Sequence, residues 1–451
     1  LGSFEWTVIS LDASLAEPAD AAVQWLANNG YDVPPGAPRL LGPYLQDDMY
    51  LLALRLTKGS DVGSIRPIVL TYAGTKPSIP VKLTAVAANE DMGVMAWLLA
   101  DAQAVPQNYL SLELNEARID WFNASRNYNN LVVQAADDAG GQGFVTEFAG
   151  PASPLAQLVF SDAEEAQWDF FKKSSFQSFQ AMFETSLVFS QYDGFWDAVR
   201  GTVTLPAGVS FPDFQACPSC YAGEFTLSPA AFIAGLEKSV IEPMRRVRDL
   251  LLAHPTATRL YTTLSADEMT LDPLFTFNPD LPEVSNQHNA ERIIECSPSY
   301  YQREAPWRIE LPQGGVVRGG ASQIGTWPAE LSAQPPNRRI LRHGESGSGK
   351  VIEDNSEAIV QRLDDYNGSL GLPTPSGIGN GSGGRSSGTG GRPGVPGNGG
   401  SPAASPSHTS TSGCSLAKAA GRSAPWNLAA LAAILAIGWR RRASRIPKAS
   451  E

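Results

Sequence analysis

The chain has 451 residues, 46 Asp and Glu against 34 Lys and Arg for a formal net charge of −12, and 42 Gly and 34 Pro. That length can bury a sizeable core, and the Gly and Pro excess points to a biased segment. Seven Lys and Arg follow Cys414, leaving residues 1–413 at about −18, an acidity that argues against a nucleic-acid partner.

The chain opens at Leu1, and "LGSFEWTVIS" has neither the basic start nor the apolar run of a signal peptide. Because the C-terminus fits an exported protein, the natural N-terminus is expected upstream. In "PADAAVQWLANNGYDVPPG", Ala21, Ala22, Val23, Trp25 and Leu26 predict an amphipathic helix. Gly30 is placed for a left-handed cap, and Pro34 and Pro35 bar continuation.

Short apolar runs follow: "MYLLALRL", "RPIVLTY", "IPVKLTAVAA", "GVMAWLLAD" and "NYLSLEL". Ile79, Val81, Leu83 and Ala85 alternate with other residues, as do Leu110, Leu112 and Leu114, which is the period of a half-buried strand. "GVMAWLLA" is apolar on both faces and reads as a central strand. These runs predict an α+β fold, an antiparallel sheet with packed helices and the early helix on one face.

Residues 162–200 read as two helices broken at "YDG". A further helix is predicted from Pro229, ended or kinked at Pro243. Ser265 and Glu268 stand at capping-box spacing for a short helix. The globular body is expected to span residues 1–350, with a subdivision near 155, and a short charged segment to occupy 351–366. Residues 367–413 are Gly/Ser/Pro-rich with almost no large apolar side chain, so they predict a disordered tether reaching roughly 35–40 Å.

Residues 414–445 close the argument for export. The uncharged stretch Ala424–Trp439 would rise roughly 24 Å as a helix, short of the ~30 Å hydrocarbon core, and ends on Arg440, Arg441 and Arg442. Bilayer thinning and arginine snorkelling would let it span, with the arginines cytoplasmic and the acidic body outside. Spacer, Cys414, apolar helix and arginine cluster together resemble the myxobacterial MYXO-CTERM sorting tag. That resemblance implies a sorting protease acting near Cys414, with display at the cell surface.

In the body, "WLANNGYDVP", "IPVKLTAVAANEDMGV", "AVPQNYLSLELNEARIDW", "AADDAGGQGFVTEFAG" and "TRLYTTLSADEMTLDPLFTFNPDLPEVSN" resemble a bacterial family, the domain of unknown function numbered 2330, over most of residues 1–300. The resemblance implies no activity, because the family has none established.

"HGESGSGKVIED" meets the P-loop pattern from Gly344 to Lys350, then places Val351 where a magnesium-binding hydroxyl is needed. Its upstream "QPPNRRILRH" is short and charged, so no nucleotide is expected. "CPSC" offers Cys217 and Cys220 which, with Cys296, suit a structural disulfide in an oxidising compartment. A zinc set completed by His288, or a redox pair, is the lesser alternative. Asp137, Asp138 and Glu147, around the turn "AGGQGF", form the candidate ligand site. The four His and the Ser residues show no triad ordering, and no GxSxG elbow occurs. No catalytic residue, metal or cofactor is assigned.

The sequence thus predicts an exported, envelope-anchored binding or structural module whose envelope ligand it does not name. The alternative is an exported hydrolase of an envelope polymer, with its acid among Asp137, Asp138 and Glu147.

Overall fold

The computed structural model describes residues 4–12, 15–33, 36–46, 51–56, 76–86, 88–123, 126–285, 287–295 and 305–372. At the N-terminus β1 (Phe4–Ile9) pairs antiparallel with β2 (Leu51–Leu56). Between them α1 (Pro18–Asn28) packs on α2 (Ala37–Gln46), and Gly30 takes the expected left-handed backbone at φ 77°. The run "RPIVLTY", Pro34 and Pro35 lie outside the described residues.

The "IPVKLTAVAA" strand is replaced by one helical turn, α3 (Val81–Thr84). Pro80 has no N–H to give a ladder and stands at the N-cap instead, so the period of two is coincidental. The chain then runs through β3 (Met92–Ala100), β4 (Gln103–Pro106), β5 (Leu110–Leu114), α4 (Tyr128–Asp138) and β6 (Gly143–Pro151).

A helical lobe follows, opening at Ser153, next to the subdivision read near 155. It comprises α5 (Ser153–Val159), α6 (Asp162–Lys173), α7 (Phe179–Ser186), α8 (Phe195–Arg200), the short β7 (Val203–Thr204), α9 (Phe211–Ala216), β8 (Thr226–Leu227), α10 (Pro229–Leu236) and α11 (Glu242–Leu252). Three helices, not two, occupy residues 162–200, because Ser178 caps a fresh start after Lys173. Its core is largely aromatic, with Trp168, Phe183, Phe195, Phe214 and Phe232 fully buried.

The sheet resumes with β9 (Thr256–Leu264) and β10 (Phe275–Asn278); β11 (Glu291–Ile294), β12 (Trp307–Glu310) and β13 (Val316–Gly319) make a separate sheet. Last come β14 (Asn337–Arg342), β15 (Lys350–Asp354) and α12 (Ser356–Ser369). Residues 350–369 therefore belong to the folded body, since Ile359, Leu363 and Tyr366 bury against Trp307 and Val317. The charged face of α12 hid that apolar stripe. Between β9 and β10, Glu268 accepts from the Ser265 N–H at 2.7 Å as in a capping box, but the segment is a turn rather than a helix.

The central sheet has the order β15-β14-β5-β6-β9-β3. All its ladders are antiparallel except β5–β6, which is parallel because α4 carries the chain back across the sheet. It is α4, not the early helix, that covers this sheet: Leu131, Val132 and Ala135 meet Leu112, Leu114, Val145 and Ile340. Nor is β3 central. Among the described residues it forms an edge, and Met95 (42% exposed) and Trp97 (38%) stand half out in solvent.

The P-loop resemblance ends in a hairpin turn joining β14 to β15, with no helix to present its dipole to phosphate. Asn278 Nδ2 donates to the Gly344 and Gly347 carbonyls, and the Asp280 carboxylate accepts from the Gly347 N–H at 2.7 Å.

In the helical lobe, Pro243 cannot donate to the Ser239 carbonyl four residues before it, and the chain negotiates the gap with a π turn over Glu237–Ile241. Gly194 (φ +87°) comes so close that a Cβ there would lie 2.2 Å from the Ser239 carbonyl oxygen. Gly194→Ala is therefore expected to cost at least about 1–3 kcal/mol. A Gly208→Ala control, whose Cβ would meet nothing within 4 Å, isolates the positive-φ contribution in thermal unfolding.

Candidate functional site

Among the described residues, two coverings leave part of the central sheet open. Helix α4 lies over β5, β6, β14 and the Tyr261 end of β9, Tyr261 packing against its apolar cluster, while α5 and α11 close the end marked by Ala257, Leu99 and Phe148. Between them the outer faces of β9 and edge strand β3 carry Met95 opposite Tyr261 and Trp97 opposite Arg259. Residues paired across a ladder share a face, so these four side chains form one surface.

Strand β6 completes it through an irregularity. Thr146 pairs with Leu260 and Phe148 with Arg259, leaving Glu147 as the extra residue of a bulge. The bulge directs Glu147 towards Arg259 and Phe148 towards Trp97. Glu147 is buried, and its Oε2 lies 2.9 Å from Arg259 Nε. The Tyr128 hydroxyl, from the first turn of α4, donates to its Oε1 at 2.6 Å.

Burial, then the Glu147 charge, raises the Tyr128 phenol well above its ordinary range, and the same two causes raise Tyr261. The Arg259 guanidinium lies 5.5 Å from the centre of the Trp97 ring, and the Phe148 ring stands 6.4 Å from it. Gly93 admits Tyr261: a Cβ there would sit 3.0 Å from the phenol oxygen.

Beside this set, Glu116, also buried, accepts from the Gln313 N–H at 3.2 Å and meets His288 Nδ1 at 2.9 Å. The hydrogen bond to Glu116 raises the His288 imidazole above its ordinary value against the opposing effect of burial, and Glu147 adds to the rise.

The three acids read from the sequence do not converge. Asp137 and Asp138 end α4, about 15 Å from the turn that holds Tyr128. Asp138 accepts from Asn337 Nδ2 at 3.0 Å. Partial burial raises the Asp137 carboxyl, and Asp91 and Asp267 add to it. Glu147 alone belongs to the open face. Its companions Arg259, Tyr261 and His288 lie more than a hundred residues away along the chain, so no local motif could have flagged them.

Cys217 and Cys220 are disulfide-bonded. Cys296, Cys414, Arg440, Arg441 and Arg442 lie outside the described residues. Among the described residues no group of three or more His, Cys, Asp or Glu is arranged to hold a metal ion.

Glu147→Ala would leave the partly exposed Arg259 guanidinium without its counter-charge, and a loss of about 1–3 kcal/mol is expected in denaturant unfolding. The double variant Glu147→Ala/Arg259→Met should recover much of that loss, the sign of a pair that matters through compensation. His288 gives a pH signature. Because its folded pKa is raised, its pairing with Glu116 stabilises fully below the unfolded value near 6.5 and is lost as pH rises through the folded value. The stability gap between the unaltered chain and His288→Gln should therefore be constant below about pH 6.5 and shrink as the pH rises above it, as followed by chemical denaturation.

Residues 1–162 match the model of a family described as "Uncharacterized protein conserved in bacteria (DUF2330)". The match ends short of the residue 300 that the sequence resemblance reached, so it takes in Trp97, Glu116, Tyr128 and Glu147 but not Arg259, Tyr261 or His288. No curated protein and no solved structure matches the chain.

Proposed function

We propose that the chain is a non-enzymatic recognition module of the cell envelope whose ligand meets the open face of the central sheet. The observation that carries this reading is the commitment of Glu147. Both its oxygens are engaged, by Tyr128 and Arg259, inside a surface where Trp97 and Met95 are half exposed. To exchange a proton with a substrate, Glu147 would have to give up its hydrogen bond from Tyr128 or its ion pair with Arg259. A carboxylate locked between a phenol and a guanidinium instead holds a fixed, neutralised surface, which suits binding. The hydrolase alternative would draw on Asp137, Asp138 and Glu147, and their separate partners weaken it.

The envelope location rests on the sequence of the C-terminal part: the tether 367–413, Cys414, the apolar stretch 424–439 and the arginines that follow. In this proposal the membrane and a sorting protease are its partners. No helix among the described residues is long and apolar enough to cross a membrane, and the 424–439 stretch lies outside them.

Fractionation of cells producing the full chain should recover it with the envelope and leave its body open to protease added outside. The purified chain should sediment with isolated envelopes, and Asp137→Asn/Asp138→Asn should alter neither display nor sedimentation. Recovery in the cytosol would refute the location. Turnover of an envelope polymer that disappears in the double variant would transfer the case to the hydrolase.

A further inference from the structure

We infer that the open face is a subsite for an uncharged sugar ring stacked on Trp97, so that the envelope component recognised is a neutral polysaccharide. The inference rests on the recognition reading above and names its ligand class.

Arg259 and Glu147 are paired at 2.9 Å within this surface and cancel, so the face offers an ionic ligand no net attraction. Yet it is not simply apolar. Arg259 turns its Nε towards Glu147, and among the described residues no acceptor engages its two Nη groups. The Tyr261 side chain fills the space over Gly93, which sets its hydroxyl beside β3 at the margin of the face. These are donors and acceptors suited to hydroxyl groups.

Trp97 is flanked by Arg259 and Phe148, which restrict its ring, while 38% of the residue remains exposed. Rings held in this way present a fixed π face to the polarised C–H groups of a pyranose, with little side-chain entropy left to lose on binding. Met95 stands two residues away on the same face, roughly 7 Å along the strand, and extends the apolar strip. Since β3 is the last strand of its sheet among the described residues, a polymer could run past the subsite without ending there.

The test is affinity electrophoresis of the full chain, in mild detergent, through native gels containing dextran, laminarin or xylan, with heparin as the anionic control. At least one neutral polymer should retard the chain while heparin does not. Trp97→Ala should weaken that retardation roughly tenfold or more, and Trp97→Phe only partly. Thermal unfolding of both variants verifies that they fold, and Trp97→Phe carries the test if Trp97→Ala does not.

Retardation by none of the neutral polymers, retardation by heparin alone, or equal retardation of the folded Trp97 variants would overturn the inference. Displacement of the neutral polymer by an extended apolar peptide pairing with the β3 edge would confirm where the polymer sits, whereas peptide binding without any polymer binding would overturn it. If the neutral polymers fail but the chain still sediments with envelopes, the sugar assignment alone falls. If sedimentation is lost as well, the recognition reading falls with it.

Discussion

The register of β9 against β6 and β3 is the constraint on which the rest of the structure hangs. The chain leaves the sheet at the end of β6, builds an entire helical lobe, and returns to lay β9 between two strands formed long before it. A slip of one residue would turn Arg259 and Tyr261 into the layer of Leu98, Phe144 and Phe275, and bring Leu260 and Leu264 out. The buried pair of Arg259 with Glu147 penalises that slip by stranding two charges, and the bulge at Glu147 fixes where the pairing resumes. A polar contact thus supports the fold more through specificity than through net stabilisation.

The helical lobe makes such a return feasible because it can satisfy itself. Its aromatic core is separate from those of the sheet, and Glu165, held by Arg245 and Arg248, ties α6 to α11. The Arg245 hydrogen bond holds the Glu165 carboxyl below its ordinary range, so that tie persists at neutral pH. What the lobe shows the sheet is a small patch, Ala152, Ala156 and Leu251 on Ala257. Contacts local to the lobe can form first and bring the start of β9 back beside the end of β6, which lowers the entropy cost of a very non-local ladder.

Local chemistry made some of this legible in the sequence. Leu110, Leu112 and Leu114 alternate and form β5, and the α1 helix stops at a left-handed Gly30 as its residues require. The CPSC spacing suits a bond between Cys217 and Cys220. The same local rules misled where tertiary context decides. Pro80 turned an alternating run into a helical turn, and the apolar residues on both faces of β3 suggested burial where one face is half open. The charged surface of α12 concealed three buried side chains. Of the candidate site only Glu147 was within reach, because its Gly-rich neighbourhood drew attention; its partners are supplied by strand pairing, which no window of sequence contains.

The composition of the open face follows from the same pairing. An uncharged nine-residue edge strand exposes apolar side chains to unwanted partners, and proteins commonly blunt such edges with Lys or Pro. On β3 the blunting comes from the neighbouring strand instead: Arg259 reaches across to the Trp97 ring, and Tyr261 comes over Gly93. A Lys on β3 itself would have left a net charge on the surface. Placing the polar groups on β9 and cancelling Arg259 with Glu147 keeps the face wettable, ordered and electrically neutral at once. Few arrangements meet those three demands without an ion pair beneath the aromatic ring. That gives a physical reason for this fold to retain a buried charge pair where aliphatic side chains of similar volume could have packed at least as stably.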